Sequence, residues 1–111
     1  MTVLGPAKEV DVAFLVFVER YATDLIKWDI LTLFGHNPDL CSPTSQIAEQ
    51  LGRSSRSIRP ELGDLALLGI LEKIHSPNGK ILYQLTKDPQ LRSLTLKFAS
   101  SQLAARRSEA N

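Results

Sequence analysis

Cysteine occurs once in the 111 residues, at Cys41, so no disulfide can close within the chain. That excludes the disulfide-stapled secreted domains and predicts a reducing, cytoplasmic setting. Long apolar runs are missing as well. The most continuous one, Val12–Val18, has seven residues between Asp11 and Glu19, against the roughly 20 that a membrane-spanning helix requires. No segment has the make-up of a signal peptide, and no membrane partner is expected. Histidine is scarce, at His36 and His75 only. With one cysteine and no Cys-x-Cys or His-x-x-Glu-like pairing, the sequence offers no metal-ligand spacing, and no cofactor is expected. A Gly-rich phosphate loop, a Ser-His-Asp set and a paired-carboxylate motif are also absent, so the expectation is a protein that is not an enzyme.

Charge is nearly balanced overall, at +1, but not evenly spread. Residues 1–50 carry three basic and seven acidic side chains, a net of −4, and residues 51–111 carry ten basic and five acidic, a net of +5. Such a split suits one face for an anionic partner. The plainer alternative is chance clustering on a solvated surface.

The apolar residues then supply the organisation. Residues 1–9 read as a flexible arm broken by Gly5-Pro6. From Val10, apolar residues recur at helical spacing through Phe14, Phe17, Tyr21, Leu25 and Trp28. Residues 10–34 form either one long helix or two, broken near Ala22-Thr23-Asp24 with Thr23 as a cap, and Gly35 is the expected stop. The β-branched and aromatic run Val12–Val18 also suits a strand, but helix is preferred because it leads into periodic sequence on both sides. His36–Cys41 reads as a loop. Ser42-Pro43 predicts an N-cap followed by proline at the first helical position. A short helix then runs through Leu51 to Gly52, and another from Ser54 or Ser55 through Ile58, Leu62, Leu65 and Leu68 to Gly69. The period next shortens, and Ile70–His75 and Lys80–Leu85 flank the turn Ser76-Pro77-Asn78-Gly79, which predicts a β-hairpin. Asp88-Pro89 opens a last helix carrying Leu91, Leu94 and Phe98 on one stripe, and a frayed tail follows from 106 to 111.

Helix, short helix, tight turn, helix and hairpin is a recognisable order. The segment 46–58, with small Ala48, turn residue Gly52 and aliphatic Ile58, resembles the helix-turn-helix signature. Steeply crossing helices need a small residue where they approach, and the turn residue needs positive φ. With Leu62, Leu65, Leu68 and the hairpin, residues 24–86 resemble the winged helix-turn-helix core of small transcriptional regulators of the arsenical-resistance and multiple-antibiotic-resistance types. The resemblance implies a mainly α fold with a small β-hairpin wing, a single domain over 10–105 and extra N- and C-terminal helices.

It also implies where double-stranded DNA would be touched. The second helix of the motif enters the major groove by its N-terminal part, here Ser55, Arg56 and Arg59, with Ser54 as the cap. Arg53 would anchor a phosphate. The hairpin resembles the wing, where Lys73, His75, Asn78 and Lys80 would hold the flank. Two features depart from the pattern. Arg53 stands where an aliphatic residue is usual, so either it points to phosphate or the turn is built differently. Pro60 lies inside the recognition helix, which predicts a delayed start, a tight first turn or a kink. Glu61 and Asp64 would repel DNA if they faced it, and they are expected at the side, paired with arginines.

The end helices carry bulky apolar residues beyond what the core requires. Phe14, Phe17, Tyr21, Leu91, Leu94 and Phe98 resemble dimerisation elements of such regulators, and a homodimer doubles the contact with a two-fold site. The alternative is that they complete the monomer core. The functional expectation is a sequence-specific, repressor-like DNA regulator. The alternative is a winged helix used for protein–protein contacts without DNA. Neither a target sequence nor an effector ligand can be read from the residues.

Overall fold

The computed structural model describes residues 11–110 of the chain, with side chains to Ser101. The expected arm at 1–9 lies outside the described residues. Five helices and three short strands follow in the order α1 (Val12–Tyr21), α2 (Leu25–His36), β1 (Cys41–Pro43), α3 (Thr44–Leu51), α4 (Ser55–Leu67), β2 (Leu71–His75), β3 (Ile81–Leu85) and α5 (Pro89–Ala110). The backbone of the expected tail is therefore helical as far as Ala110.

The N-terminal apolar region is two helices. The break falls at Ala22–Asp24, and the second cap is Asp24, one residue after the expected Thr23. Its Oδ1 accepts from the Lys27 amide at 2.8 Å, because an aspartate side chain reaches the third helical N–H as well as a threonine does. Asp11 caps α1 in the same manner at 3.1 Å. Asp88 starts α5 as expected, accepting from Leu91 N at 2.9 Å.

Gly35 does not stop α2. The helix continues to His36 and is capped at Asn37. A Cβ on Gly35 would sit 2.5 Å from Ala99 Cβ and 2.5 Å from the Thr95 carbonyl oxygen. The glycine is there so that α2 and α5 can touch backbone to backbone, a use of the missing side chain that has nothing to do with φ.

Ser42-Pro43 is likewise corrected. Ser42 is the buried middle residue of β1, opposite Tyr83, and Pro43 pairs with Leu82 before serving as the N-cap of α3 without a capping side chain. The sheet order is β1-β3-β2, all antiparallel, so β1 is an edge. Proline at the end of an edge strand forfeits no interior ladder bond. Three residues are too few for a two-residue period to show.

The hairpin follows its sequence. Leu71 pairs with Leu85 and His75 with Ile81. Gly79 N bonds to Ser76 O at 3.0 Å, Gly79 takes φ 85°, and Ser76 N bonds to Lys80 O at 2.9 Å. That is a type I turn followed by a left-handed glycine, the usual three-residue hairpin loop.

One core unites these elements. Ile30, Leu31 and Phe34 of α2, Ile47 of α3, Ile58, Leu62 and Leu65 of α4, and Leu71 and Leu85 of the wing strands are all buried. Phe17, Tyr21 and Phe98 belong to the same cluster, at 2%, 7% and 1% exposure. Phe17 stacks tilted against both Tyr21 (5.1 Å) and Phe98 (6.0 Å), and Trp28 meets Phe98 edge-on at 4.9 Å. The dimerisation expectation for Phe17, Tyr21 and Phe98 is therefore corrected: their rings are spent inside the chain. Phe14, Leu91 and Leu94 are partly buried against the same cluster. The large apolar residues α1 leaves in the open are Val12, Leu15 and Val16, each at least half exposed.

Candidate nucleic-acid interface

The helix-turn-helix is α3, the turn at Gly52–Ser54, and α4. Gly52 takes φ 66°, and the amides behind it bond back as Gly52 N to Glu49 O at 3.2 Å and Arg53 N to Ala48 O at 3.0 Å. This paired closure satisfies the last carbonyls of α3 and needs a left-handed residue at that point. The turn is thus built in the ordinary way despite Arg53. Ala48 is 3% exposed and Ile58 fully buried, as close crossing of the two helices requires.

Ser54 is the N-cap of α4, as the sequence predicts. Its Oγ accepts from Ser57 N at 3.1 Å, and its carbonyl receives both Ser57 N at 3.2 Å and Ile58 N at 3.3 Å. The first turn is therefore tight, one of the three outcomes anticipated for Pro60, while the helix passes through Pro60 without a break and starts on time. The Pro60 ring leaves the Arg56 carbonyl without its usual i+4 donor. Gly69, at φ 86°, closes the far end of α4, with Ile70 N on Leu65 O at 3.1 Å.

Arg56 and Arg59 are exposed, and among the described residues neither makes a hydrogen bond or ion pair. Ser55 is half-buried at the first helical position. Arg53 behaves differently. Its Nε and Nη2 both donate to Asp29 Oδ2 of α2, at 3.1 and 2.7 Å. The turn is not rebuilt, and the side chain is not free either: a carboxylate 24 positions earlier in the chain takes its Nε and Nη2.

Glu61 and Asp64 sit at the side of α4, but their partner is not an arginine. Lys27 Nζ donates to Glu61 Oε1 at 2.7 Å, to Asp64 Oδ2 at 3.3 Å and to Asp24 Oδ2 at 3.2 Å. Lys27 is 8% exposed. The Glu61 bond, helped by Asp24 and Asp64, raises the ammonium well above its ordinary value, against the opposing effect of burial. Burial pushes Asp24 up, but its bonds from the Lys27 amide and ammonium outweigh that and hold the carboxyl below its ordinary range. Sequence reading missed Lys27 and the cluster it builds, because lysine inside an amphipathic helix ordinarily signals solvent, and it missed Asp29 as the partner of Arg53.

On the wing, Lys73 and His75 stand two apart on β2 and are exposed, while Glu72 on the opposite face accepts from Gln84 Nε2 at 3.0 Å. Lys80 is exposed at the tip. Asn78 turns its Oδ1 inward to Ser76 Oγ and to the Lys80 amide, so its oxygen is used by the loop. The tip also approaches the start of α3: Gln46, Pro43, Ser76, Pro77, Asn78, Lys80 and Leu82 line an open cleft of about 430 Å³. Gln46, exposed on α3, thereby joins the wing side of the surface. The motif segment contains it, but only the folded hairpin shows what it faces.

The surface assembled this way carries Arg56, Arg59, Lys73 and Lys80, cations that form no ion pair among the described residues, with the nearby acids Glu61, Asp64, Asp29 and Glu72 each committed to a partner. Arg20 and Lys87, elsewhere on the chain, also form no ion pair among the described residues. Nor do those residues contain a helix long and apolar enough to cross a membrane.

No protein-family model matches the chain, and no curated protein sequence is significantly similar to it. Solved structures are similar in fold. The antimony-specific transcriptional repressor AntR superposes with a TM-score of 0.62 at 19% identity, covering 96% of this chain and 99% of that one. A protein of Methanosarcina mazei Go1 described as a possible transcriptional regulator gives 0.59 at 16% identity, over 97% of this chain and 92% of that one. NadR in complex with 4-hydroxyphenylacetate gives 0.59 at 14% identity, over 100% of this chain and 87% of that one. The likeness takes in α1 and α5 as well as the helix-turn-helix and its hairpin, and the chain has the fold of winged helix transcriptional regulators.

Proposed function

We propose that this protein is a cytoplasmic, homodimeric regulator that binds double-stranded DNA sequence-specifically and acts as a repressor. The observation that carries the reading is the pair Arg56 and Arg59: exposed on the outward side of α4, without a carboxylate partner among the described residues, while the acids of the same helix are tied to Lys27. Arginine can hydrogen-bond guanine edges bidentately or clamp phosphates, and the N-terminal half of a recognition helix is where it does so. Ser55 supports the same contact. Lys73, His75, Asn78 and Lys80 hold the flanking backbone from the wing, Asn78 through its amide nitrogen, since its oxygen is bound in the loop. Arg53 and Ser54 act from the turn, Ser54 as cap.

Two-fold pairing fits the end helices. Val12, Leu15 and Val16 recur at i, i+3 and i+4 on the open side of α1 and offer an apolar stripe for a second copy. Phe14, Leu91 and Leu94, half covered in the single chain, flank the buried aromatic cluster behind that stripe. Repression by occupying a promoter requires no further domain.

The test is fluorescence anisotropy with labelled duplexes, one of mixed sequence and one from the gene's own upstream region, across a salt series, with light scattering for the mass. Tighter binding to the upstream duplex and a linear fall of log affinity with log salt are expected, from a particle of twice the chain mass. A folded protein that binds neither duplex at low salt overturns the reading.

A further inference from the structure

Three arginines stand close together at the start of the recognition helix, and the structure treats one of them unlike the others. Arg56 and Arg59 are unpaired among the described residues. Arg53 gives two of its donors, Nε and Nη2, to a single oxygen of Asp29. The pair is neither buried nor free: the side chains are 32% and 29% exposed. An ion pair that wet adds little to stability. Its consequence is electrostatic. It cancels one of the three positive charges next to the Ser54 cap, and it leaves Nη1 of Arg53 as a donor without a partner among the described residues.

We infer that Asp29 is a positioning residue for DNA binding, one that turns Arg53 into a phosphate contact of fixed geometry and no net charge. The inference rests on the DNA-binding reading above. Arg53 lies directly before the cap of α4 and three residues before Arg56, so a duplex that meets Arg56 passes the turn as well. A free arginine there would displace a counterion from any phosphate and strengthen binding to every sequence alike. Held by Asp29, the guanidinium keeps a directed N–H for the backbone while the pair as a whole is neutral. Non-specific affinity is thereby restrained, and the weight of recognition shifts to Arg56 and Arg59. Asp29 sits on α2, the helix whose Ile30, Leu31 and Phe34 fill the core, so the carboxylate is carried by the rigid part of the molecule and not by the turn it restrains.

The salt dependence of binding to a mixed-sequence duplex reads this out, because a purely structural tie does not change it. The parent, Asp29→Asn, Arg53→Ala and the double variant are titrated across salt, with thermal melting of each. Asp29→Asn releases the charge of Arg53, so its log–log slope steepens by about 0.9, the value for one added phosphate neutralised, and its low-salt binding tightens. Arg53→Ala leaves the charge of Asp29 uncompensated and both flattens the slope and weakens binding. The double variant returns to the parent slope. An Asp29→Asn protein that melts cooperatively and keeps the parent slope overturns the inference and leaves the DNA reading standing. Should Asp29→Asn fail to fold, Arg53→Ala decides alone, and an unchanged slope there overturns it. A parent that binds no duplex removes the DNA reading and the inference together.

Discussion

The two flanks of α4 carry opposite charges and are treated in opposite ways. Ile58, Leu62 and Leu65 mark the buried stripe. At about 100° per residue, Glu61 and Asp64 fall on the flank turned to α2, Arg59 on the other, and Arg56 almost opposite the stripe. The acidic flank is closed by Lys27, whose side chain is 10% exposed and serves three carboxylates. The basic flank is left open. Charge that is neutralised internally costs a rigid, desolvated arrangement; charge left in water costs nothing and remains available to a partner. The contrast therefore separates charge paired within the fold from charge left in water on one helix, which composition cannot do, since both kinds enter the net charge equally.

The largest effect expected comes from breaking the closed flank. Lys27→Met keeps the packing of the aliphatic stem but leaves Asp24, Glu61 and Asp64 to repel one another. Removing one partner of a fully buried pair costs about 3–5 kcal/mol; Asp24 and Asp64 reach water, at 43% and 56% side-chain exposure, so about 2 kcal/mol is expected here. Urea denaturation measures it. A loss under about 0.5 kcal/mol, the ordinary scatter of surface substitutions, would mean that the leucines alone hold α4 on α2.

The open flank should respond in the opposite currency. Arg56→Ala or Arg59→Ala is expected to weaken specific DNA binding by about 1–3 kcal/mol each, and to leave the urea midpoint within the scatter of surface changes. The anisotropy titration and the same denaturation curves give both numbers. Variants that bind like the parent place the recognition surface elsewhere; variants that unfold show that the apparent freedom of these side chains is misleading.

Much of this was legible in the residues and some was not, for identifiable reasons. Gly52, Ala48, Ile58 and the Ser76–Gly79 turn announce themselves because each meets a local steric demand that few residues satisfy. The strand at Cys41–Pro43 is invisible because three residues show no period. Gly35 misleads because glycine answers two demands, positive φ and close approach, and only the position of α5 shows which applies. Phe17, Tyr21 and Phe98 read as a dimer face because an amphipathic stripe states that something covers it, not whether that surface belongs to the same chain. Lys27 and Asp29 were missed for a related reason. Apart from Asp24, three positions before Lys27, their partners lie 24 to 37 positions away, and no local pattern connects those. Arg56 and Arg59 are singled out by their place at the start of the second motif helix, and the structure adds that they are exposed and without a side-chain partner among the described residues.

The smallest effect tests whether the closed flank is held by charge or only by shape. Asp24 both caps α2 and pairs with Lys27. Asparagine caps a helix about as well as aspartate, so Asp24→Asn removes the charge and keeps the cap. The folded carboxyl lies below its ordinary 3.8, burial opposing and the Lys27 bonds prevailing. A depressed pKa contributes stability above the unfolded value, and that stability disappears as pH falls through the folded one. Lys27, shifted upward, stays charged throughout this range. The parent should therefore melt slightly above Asp24→Asn near neutral pH, by the equivalent of less than about 1 kcal/mol for so exposed a carboxylate, and the two melting temperatures should converge as the pH is lowered past the ordinary carboxylate range. A gap that persists unchanged into acid would assign the difference to the shape of the cap, and the cluster would then owe its hold on α4 to Glu61 and Asp64 alone.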